Sequence, residues 1–308
     1  MAIGKYLKEI GRGKDGARAL TREQAADLMG QVLDGVASDL EIGAFCLAMR
    51  IKGETPEEMA GFLDATHARI RKVPDNGLTT VVIPSYNGAR KLPLLTPLLA
   101  ALLARQGLPV LIHGTATEDS RVFTDAVLAE LGIAPHPANT PVTPGSVAFI
   151  PTATLCPGLQ QLLEVRRVVN LRNSAHSLVK LMVPVAGRSL LVSSYTHPEY
   201  ALSMAATLSL MQTNALLLRG TEGEAVADPR RTPKMHAFIA GTPLELNTHQ
   251  SGTLLTVPDL PQHMDAPTTA HFIQEMLAGN TPVPEPITQQ VAQLLRIYSL
   301  LQSDRAES

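Results

Sequence analysis

The hydrophobic period of the chain changes near residue 76, and that change limits which folds are available. Before it, apolar residues recur only at helical spacing. Thr21 opens REQAADLMGQVLDG with Gln24 three residues on, and Ser38 opens DLEIGAFCLAMRIKG with Glu41 in the same place. Both have capping-box spacing, in which two side chains satisfy each other's free backbone donors. Gly53 reads as the stop of the second helix, and Thr55 followed by Pro56 and two acids opens a third. After residue 76, short β-branched runs alternate with helical stretches. TTVVIP (79–84) and PVLIH (109–113) flank PLLTPLLAALLARQG. That is a βαβ pattern, and its wholly apolar strands predict a parallel sheet. Further strands are expected over 146–150, 189–193, 214–219 and 253–257, and helices over 197–212 and 287–301. The expected fold is α/β. A small all-helical domain spans 1–72 and is completed by 165–184, and a larger α/β domain with a mainly parallel central sheet spans 76–164 and 185–308.

A chain of 308 residues, 45% hydrophobic, can bury a substantial core. It has no uninterrupted apolar run of about 18 residues, so no membrane-spanning helix is expected. Cys46 and Cys156 have no close-spaced partners, which argues against a zinc site or disulfide framework and for a reduced, cytoplasmic protein. The net charge of −2 excludes a wholesale nucleic-acid-binding composition, but the charge is unevenly spread. Residues 165–240 carry a net +5 and residues 241–308 a net −5. Within the first of these, VRRVVNLRNSAHSLVKLMVP (165–184) contains no acid. Arg172, His176 and Lys180 recur every four residues, the spacing of one helix face. Arg166 and Arg167 lie just upstream and Arg188 just downstream. Such a face implies an anionic partner, whether phosphate, carboxylate or nucleic acid. The competing reading is a solvated helix face, or ion pairs made within the molecule.

The block SDLEIGAFCLAMRIKGETPEEMAGFLDATH resembles the opening helices of the anthranilate phosphoribosyltransferases (glycosyltransferase family 3), and the order of elements matches that family to about residue 240. The resemblance implies a helical domain hinged to a larger α/β domain, and a homodimer formed through the helical domain. It does not carry the chemistry over. Where the family has Gly-Thr-Gly-Gly-Asp to cradle pyrophosphate, this chain has Ser85, Tyr86, Asn87, Gly88 and Ala89. Where it has Lys-His-Gly-Asn-Arg, this chain has Ile112, His113, Gly114, Thr115 and Ala116. The family's magnesium-binding Asp-Glu pair falls on Ala225 and Val226, with Glu222, Glu224 and Asp228 nearby. Without glycine donors, cationic clamps or that pair, developing pyrophosphate charge has little to stabilise it.

The basic run aligns with a family segment that supplies an arginine to the aromatic acid substrate. Val179 and Lys180 stand where the enzymes have Gly-Pro. Losing an interior proline restores a helical donor, worth about 3 kcal/mol, so an unbroken basic helix is expected to face outward. With IPSYNGARK and NSAHSLVKL, this resembles the YbiB-like branch, which implies binding of DNA or RNA backbone without catalysis, metal or cofactor. The nucleic-acid residues so implied are Arg166, Arg167, Arg172, His176, Lys180 and Arg188. Ser85, Asn87, Gly88, Arg90, Lys91, His113 and Gly114 would line a vestigial phosphate cleft. The alternative is a transferase of altered specificity that uses Mg2+ and phosphoribosyl pyrophosphate in that cleft.

Overall fold

The computed structural model describes residues 2–13, 15–246, 252–256 and 258–306. Four helices lead: α1 (Gly4–Ile10), α2 (Arg22–Leu33), α3 (Asp39–Lys52) and α4 (Pro56–His67). The capping boxes expected at Thr21 and Ser38 both form, and Thr55 makes a third with Glu58. Gly53 stops α3 at φ +80°, a left-handed position that suits glycine. Phe45 and Phe62 meet edge-on at 5.9 Å in the middle of the helical unit.

The sheet follows, with its helices between the strands. In chain order these are β1 (Thr80–Ser85), α5 (Thr96–Arg105), β2 (Val110–Gly114), α6 (Thr124–Glu130), β3 (Val147–Pro151), α7 (Thr152–Leu155), α8 (Pro157–Val169), α9 (Ala175–Leu178), β4 (Ser189–Tyr195), α10 (Pro198–Leu210) and β5 (Ala215–Arg219). β6 (Arg231–Thr232), β7 (Met235–Ile239), β8 (Thr242–Leu244), β9 (Gly252–Thr253), α11 (Ala266–Ala278) and α12 (Glu285–Ala306) complete the chain. The main sheet runs β3-β2-β1-β4-β5-β7-β8. Pairing is parallel from β3 through β5 and antiparallel from β5 to β8. The strand expected over 253–257 is only the two-residue β9, paired with β6, and residue 257 lies outside the described residues.

Strand residues alternate between two cores, as period two requires. Val82, Leu111, Leu191 and Leu217 face the helical unit. Val81, Ile83, Val110, Ile112, Leu190, Val192, Leu216 and Leu218 face the layer that contains α5, α11 and α12. The chain order reverses between β1 and β4, so the carboxyl ends of those two neighbours open a crevice, the usual ligand position in such sheets. No described helix is long and apolar enough to cross a membrane.

The basic run is not one straight helix, which corrects the expectation above. α8 ends at Val169, Asn170 turns left-handed at φ +57°, and only the four residues of α9 are helical again. The Asn173 side chain causes the break by competing for backbone groups. Its Oδ1 accepts from Ala175 N at 3.0 Å and its Nδ2 donates to Leu162 O at 2.7 Å. Ala175, Leu178, Val179, Leu181 and Met182 are all buried against the helical unit, so the segment turns inward.

Candidate anion-binding cleft

β1 delivers its last residue, Ser85, to the crevice, and the following loop turns its backbone N–H groups toward two carboxylates. Glu224 sits at the centre, buried. Its Oε1 accepts from Asn87 N at 2.7 Å and Gly88 N at 2.8 Å. Its Oε2 accepts from Ser85 Oγ at 2.5 Å and Thr96 Oγ1 at 3.1 Å. One turn away, Glu222 Oε2 accepts from Arg90 N, Lys91 N and Leu92 N at 2.8, 3.0 and 3.3 Å. Convergent backbone donors of this kind form an anion nest. Both acids project from the turn Thr221–Glu224, where Glu222 (φ +51°) and Gly223 (φ +94°) are left-handed in succession. A Cβ at Gly223 would overlap the Asn87 amide, so only glycine fits there. The side chains of Arg90 and Lys91 are exposed, and only their backbone joins the nest.

Lys180, expected on an outer surface, instead reaches into the crevice. Its Nζ donates to Gly223 O at 2.8 Å and lies 3.4 and 3.5 Å from Ser194 O and Oγ. Burial pushes its pKa down to about 8, opposed by the nearby Glu224 carboxylate, while Arg172 lowers it further. Three oxygen acceptors around one ammonium group hold Lys180 in place, and its partly exposed side chain also lines a cavity shared with Arg172 and His176.

The remaining basic residues separate into three groups. Arg166 pairs with Glu118, and Arg167 with Asp119 and Glu164 at 2.6 and 2.7 Å, so the local absence of acid in the sequence does not hold in space. Arg188 precedes the start of β4, roughly 20 Å of strand from the Ser194 end where Lys180 lies. Arg172 remains. It is partly buried and makes no ion pair or hydrogen bond among the described residues, and its pKa is lowered by burial and by the charges of Arg166, Arg121 and Arg50. With Arg50, which is likewise unpaired among the described residues, it lines a cavity of about 680 Å³ between the α3–α4 junction, α9 and the start of α10. His176 forms part of the same wall, and its buried Nε2 has no hydrogen-bond partner. Burial, then the Arg172 and Arg166 charges, hold this imidazole neutral with a pKa of about 3. Glu54 and Glu199 contribute acid to the lining, and Tyr195, His197 and Tyr200 aromatic rings.

The other expected cleft residues are structural. His113 is fully buried, its Nδ1 within 2.8 Å of Tyr86 Oη, and burial lowers its pKa to about 3. Tyr86 Oη also meets Thr152 Oγ1 at 2.8 Å, so this ring is a core link rather than a stacking platform. At Gly114 a Cβ would overlap Ser85 O, so glycine here permits β1 and β2 to approach closely.

Magnesium does not fit this donor set. Ala225 and Val226 are buried in the apolar core, and each Glu224 oxygen already takes two protein donors. Among the described residues no group of three or more His, Cys, Asp or Glu is placed to hold a metal. Sequence reasoning missed Arg50 as a cleft cation and Glu222 with Glu224 as ligands for the chain's own loop. Arg50 reads as the ordinary cationic end of a helix, and contacts spanning more than 130 residues leave no spacing signal.

A family model described as the helical bundle domain of a glycosyl transferase family matches residues 5–69. YbiB of Escherichia coli strain K12 is 41% identical over 95% of this chain and 93% of that protein. An anthranilate phosphoribosyltransferase of Salinispora arenicola is 27% identical over 94% of this chain and 85% of that protein. The crystal structure of anthranilate phosphoribosyltransferase from Thermus thermophilus superposes with a TM-score of 0.69 at 20% identity, covering 94% of this chain and 86% of that one. The Saccharomyces cerevisiae enzyme in complex with phosphoribosyl pyrophosphate and magnesium also gives 0.69, at 15% identity, covering 96% and 88%. The fold is that of the anthranilate phosphoribosyltransferases. The chain belongs to the anthranilate-phosphoribosyltransferase-like glycosyltransferase family, with YbiB among its relatives.

Proposed function

We propose that this protein is a non-catalytic member of its family that binds nucleic-acid backbone, DNA or RNA, at the mouth of the interdomain cleft. The reading rests on Arg50 and Arg172, two guanidinium groups without carboxylate partners among the described residues, facing one cavity beside the unsatisfied His176 Nε2. Guanidinium forks match phosphate oxygens, and a cleft lined by them attracts a polyanion without reading its bases. Tyr200, exposed at the same wall, suits stacking against an unpaired base. This moves the proposed contact surface from the outer helix face, where Arg166 and Arg167 are neutralised, to the cleft wall. The test is a mobility shift with a labelled oligonucleotide. Replacing both arginines, Arg50→Glu with Arg172→Glu, should abolish retention, and unchanged retention would sink the proposal.

Homodimerisation is part of the proposal. Leu40 is 85% exposed and Leu47 and Ile51 are about half exposed on the outer side of α3, beside an apolar groove of about 360 Å³ shared with Leu7 and Ile10 of α1. A second copy burying this face would present two clefts to one strand. The two free, buried cysteines support a cytoplasmic location.

The second reading is a phosphoribosyltransferase of altered specificity, and the names of the relatives favour it. It requires the crevice to admit a diphosphate where Glu222 and Glu224 now sit.

A further inference from the structure

We propose that the turn Thr221–Glu224 is a built-in anion that fills a latent diphosphate site. The proposal stands apart from the nucleic-acid reading, because neither Arg50 nor Arg172 touches this nest. Five backbone N–H groups and two hydroxyls converge on it, and every one is satisfied by a carboxylate oxygen of Glu222 or Glu224. These oxygens occupy the places that phosphoryl oxygens of a bound diphosphate would take. The match extends to charge and spacing. Two anionic groups lie side by side, one at Asn87 and Gly88 and one at Arg90, Lys91 and Leu92, with the ammonium group of Lys180 on the Gly223 carbonyl between the two acids.

A loop without the glycine-rich pattern still makes a nest, because its N–H groups are aimed by its conformation and held there by the internal ligand. Burying such donors unpaired would be costly, so the two carboxylates and the loop stabilise each other. The occupant is also strained. Glu222 holds a left-handed conformation that a long side chain disfavours and that asparagine tolerates. Its side chain is only half-buried, whereas Glu224 is enclosed. Glu222 is therefore the removable half of the plug. Taking away its carboxylate leaves the N–H groups of Arg90, Lys91 and Leu92 open to an external phosphoryl group.

The experiment is calorimetric titration with inorganic pyrophosphate, with and without Mg2+, on wild type, Glu222→Asn, and Glu222→Asn with Glu224→Gln. Circular dichroism and thermal unfolding establish that each variant is folded. Wild type should give no binding heat at millimolar pyrophosphate. Glu222→Asn should gain affinity by at least about tenfold, with a ligand-dependent rise in Tm. Glu222→Asn carries the test should the double variant fail to fold. A folded Glu222→Asn that binds no better than wild type overturns the proposal, as does wild type that already binds as tightly as the variant. Oligonucleotide retention should be the same in wild type and Glu222→Asn, which separates failure here from failure of the nucleic-acid reading.

Discussion

The Lys180 ammonium group rests 2.8 Å from Gly223 O, with Ser194 beside it, on the strand face of the crevice. Its sequence position, where related enzymes carry a helix breaker, suggests a surface cation instead. Which way a side chain turns depends on partners more than ten residues away, and here those are Ser194 and Gly223. The arginines show the same limit. Arg166 meets Glu118 and Arg167 meets Asp119, acids visible in the sequence but without periodic relation to them. Ser85 and Gly88 have the sequence of a decayed phosphate loop, and the residues do differ from the family pattern. What no spacing shows is that their donors are kept and turned on Glu224. If Lys180 is an internal cation, Lys180→Met should cost about 2–3 kcal/mol of stability through lost charged hydrogen bonds. Urea unfolding measures that, with the oligonucleotide affinity of the folded variant read alongside it because Lys180 also lines the cavity. Loss of binding without loss of stability would return Lys180 to the contact surface.

At the scale of elements, local chemistry makes much of the fold readable. Thr21, Ser38 and Thr55 announce helix starts because a capping box needs only residues three apart. β1 through β5 declare themselves as short apolar runs, β-branched in β1 and β2, because both faces of a parallel sheet are covered. β7 and β8 lie toward the antiparallel edge, where the pattern is mixed and the signal weak. The break between α8 and α9 is hidden for another reason. Restoring a backbone donor at Lys180 permits a helix there but does not impose one against the Asn173 side chain and the buried apolar residues around it. Asn173→Ala should leave Leu162 O and Ala175 N without their partners, at a cost of about 2 kcal/mol. Hydrogen exchange should show reduced protection at Ala175.

For the whole molecule, the switch between β1 and β4 places the loops after β1, β4 and β5 at one edge, so nest and cleft are neighbours by topology. Packing holds three histidines in neutral form, His113 and His176 buried and His67 half-buried at the end of α4. Burial, the largest cause for each, takes His67 to about 4 and His113 and His176 to about 3, from a usual value of 6.5. His67 Nε2 accepts from Val183 N at 3.1 Å, a bond that requires the unprotonated ring. Their folded pKa values are depressed, so the unfolded chain binds more protons below about pH 6.5. Stability is then full above that value and falls as pH drops toward 4, by up to about 1.4 kcal/mol per histidine per pH unit. Urea midpoints between pH 7 and pH 5 should fall accordingly, with proton uptake on unfolding approaching three. On the proposed reading the cleft arginines, not a phosphoribosyl donor site, carry the ligand. Fluorescence anisotropy of a labelled oligonucleotide across a salt series, on wild type and on Arg50→Glu with Arg172→Glu, tests it most directly. Wild-type affinity should fall steeply and linearly with the logarithm of salt, and the variant should not bind at equal folded stability. Wild type that ignores the oligonucleotide at low salt, or a folded variant that binds it equally well, would contradict that reading.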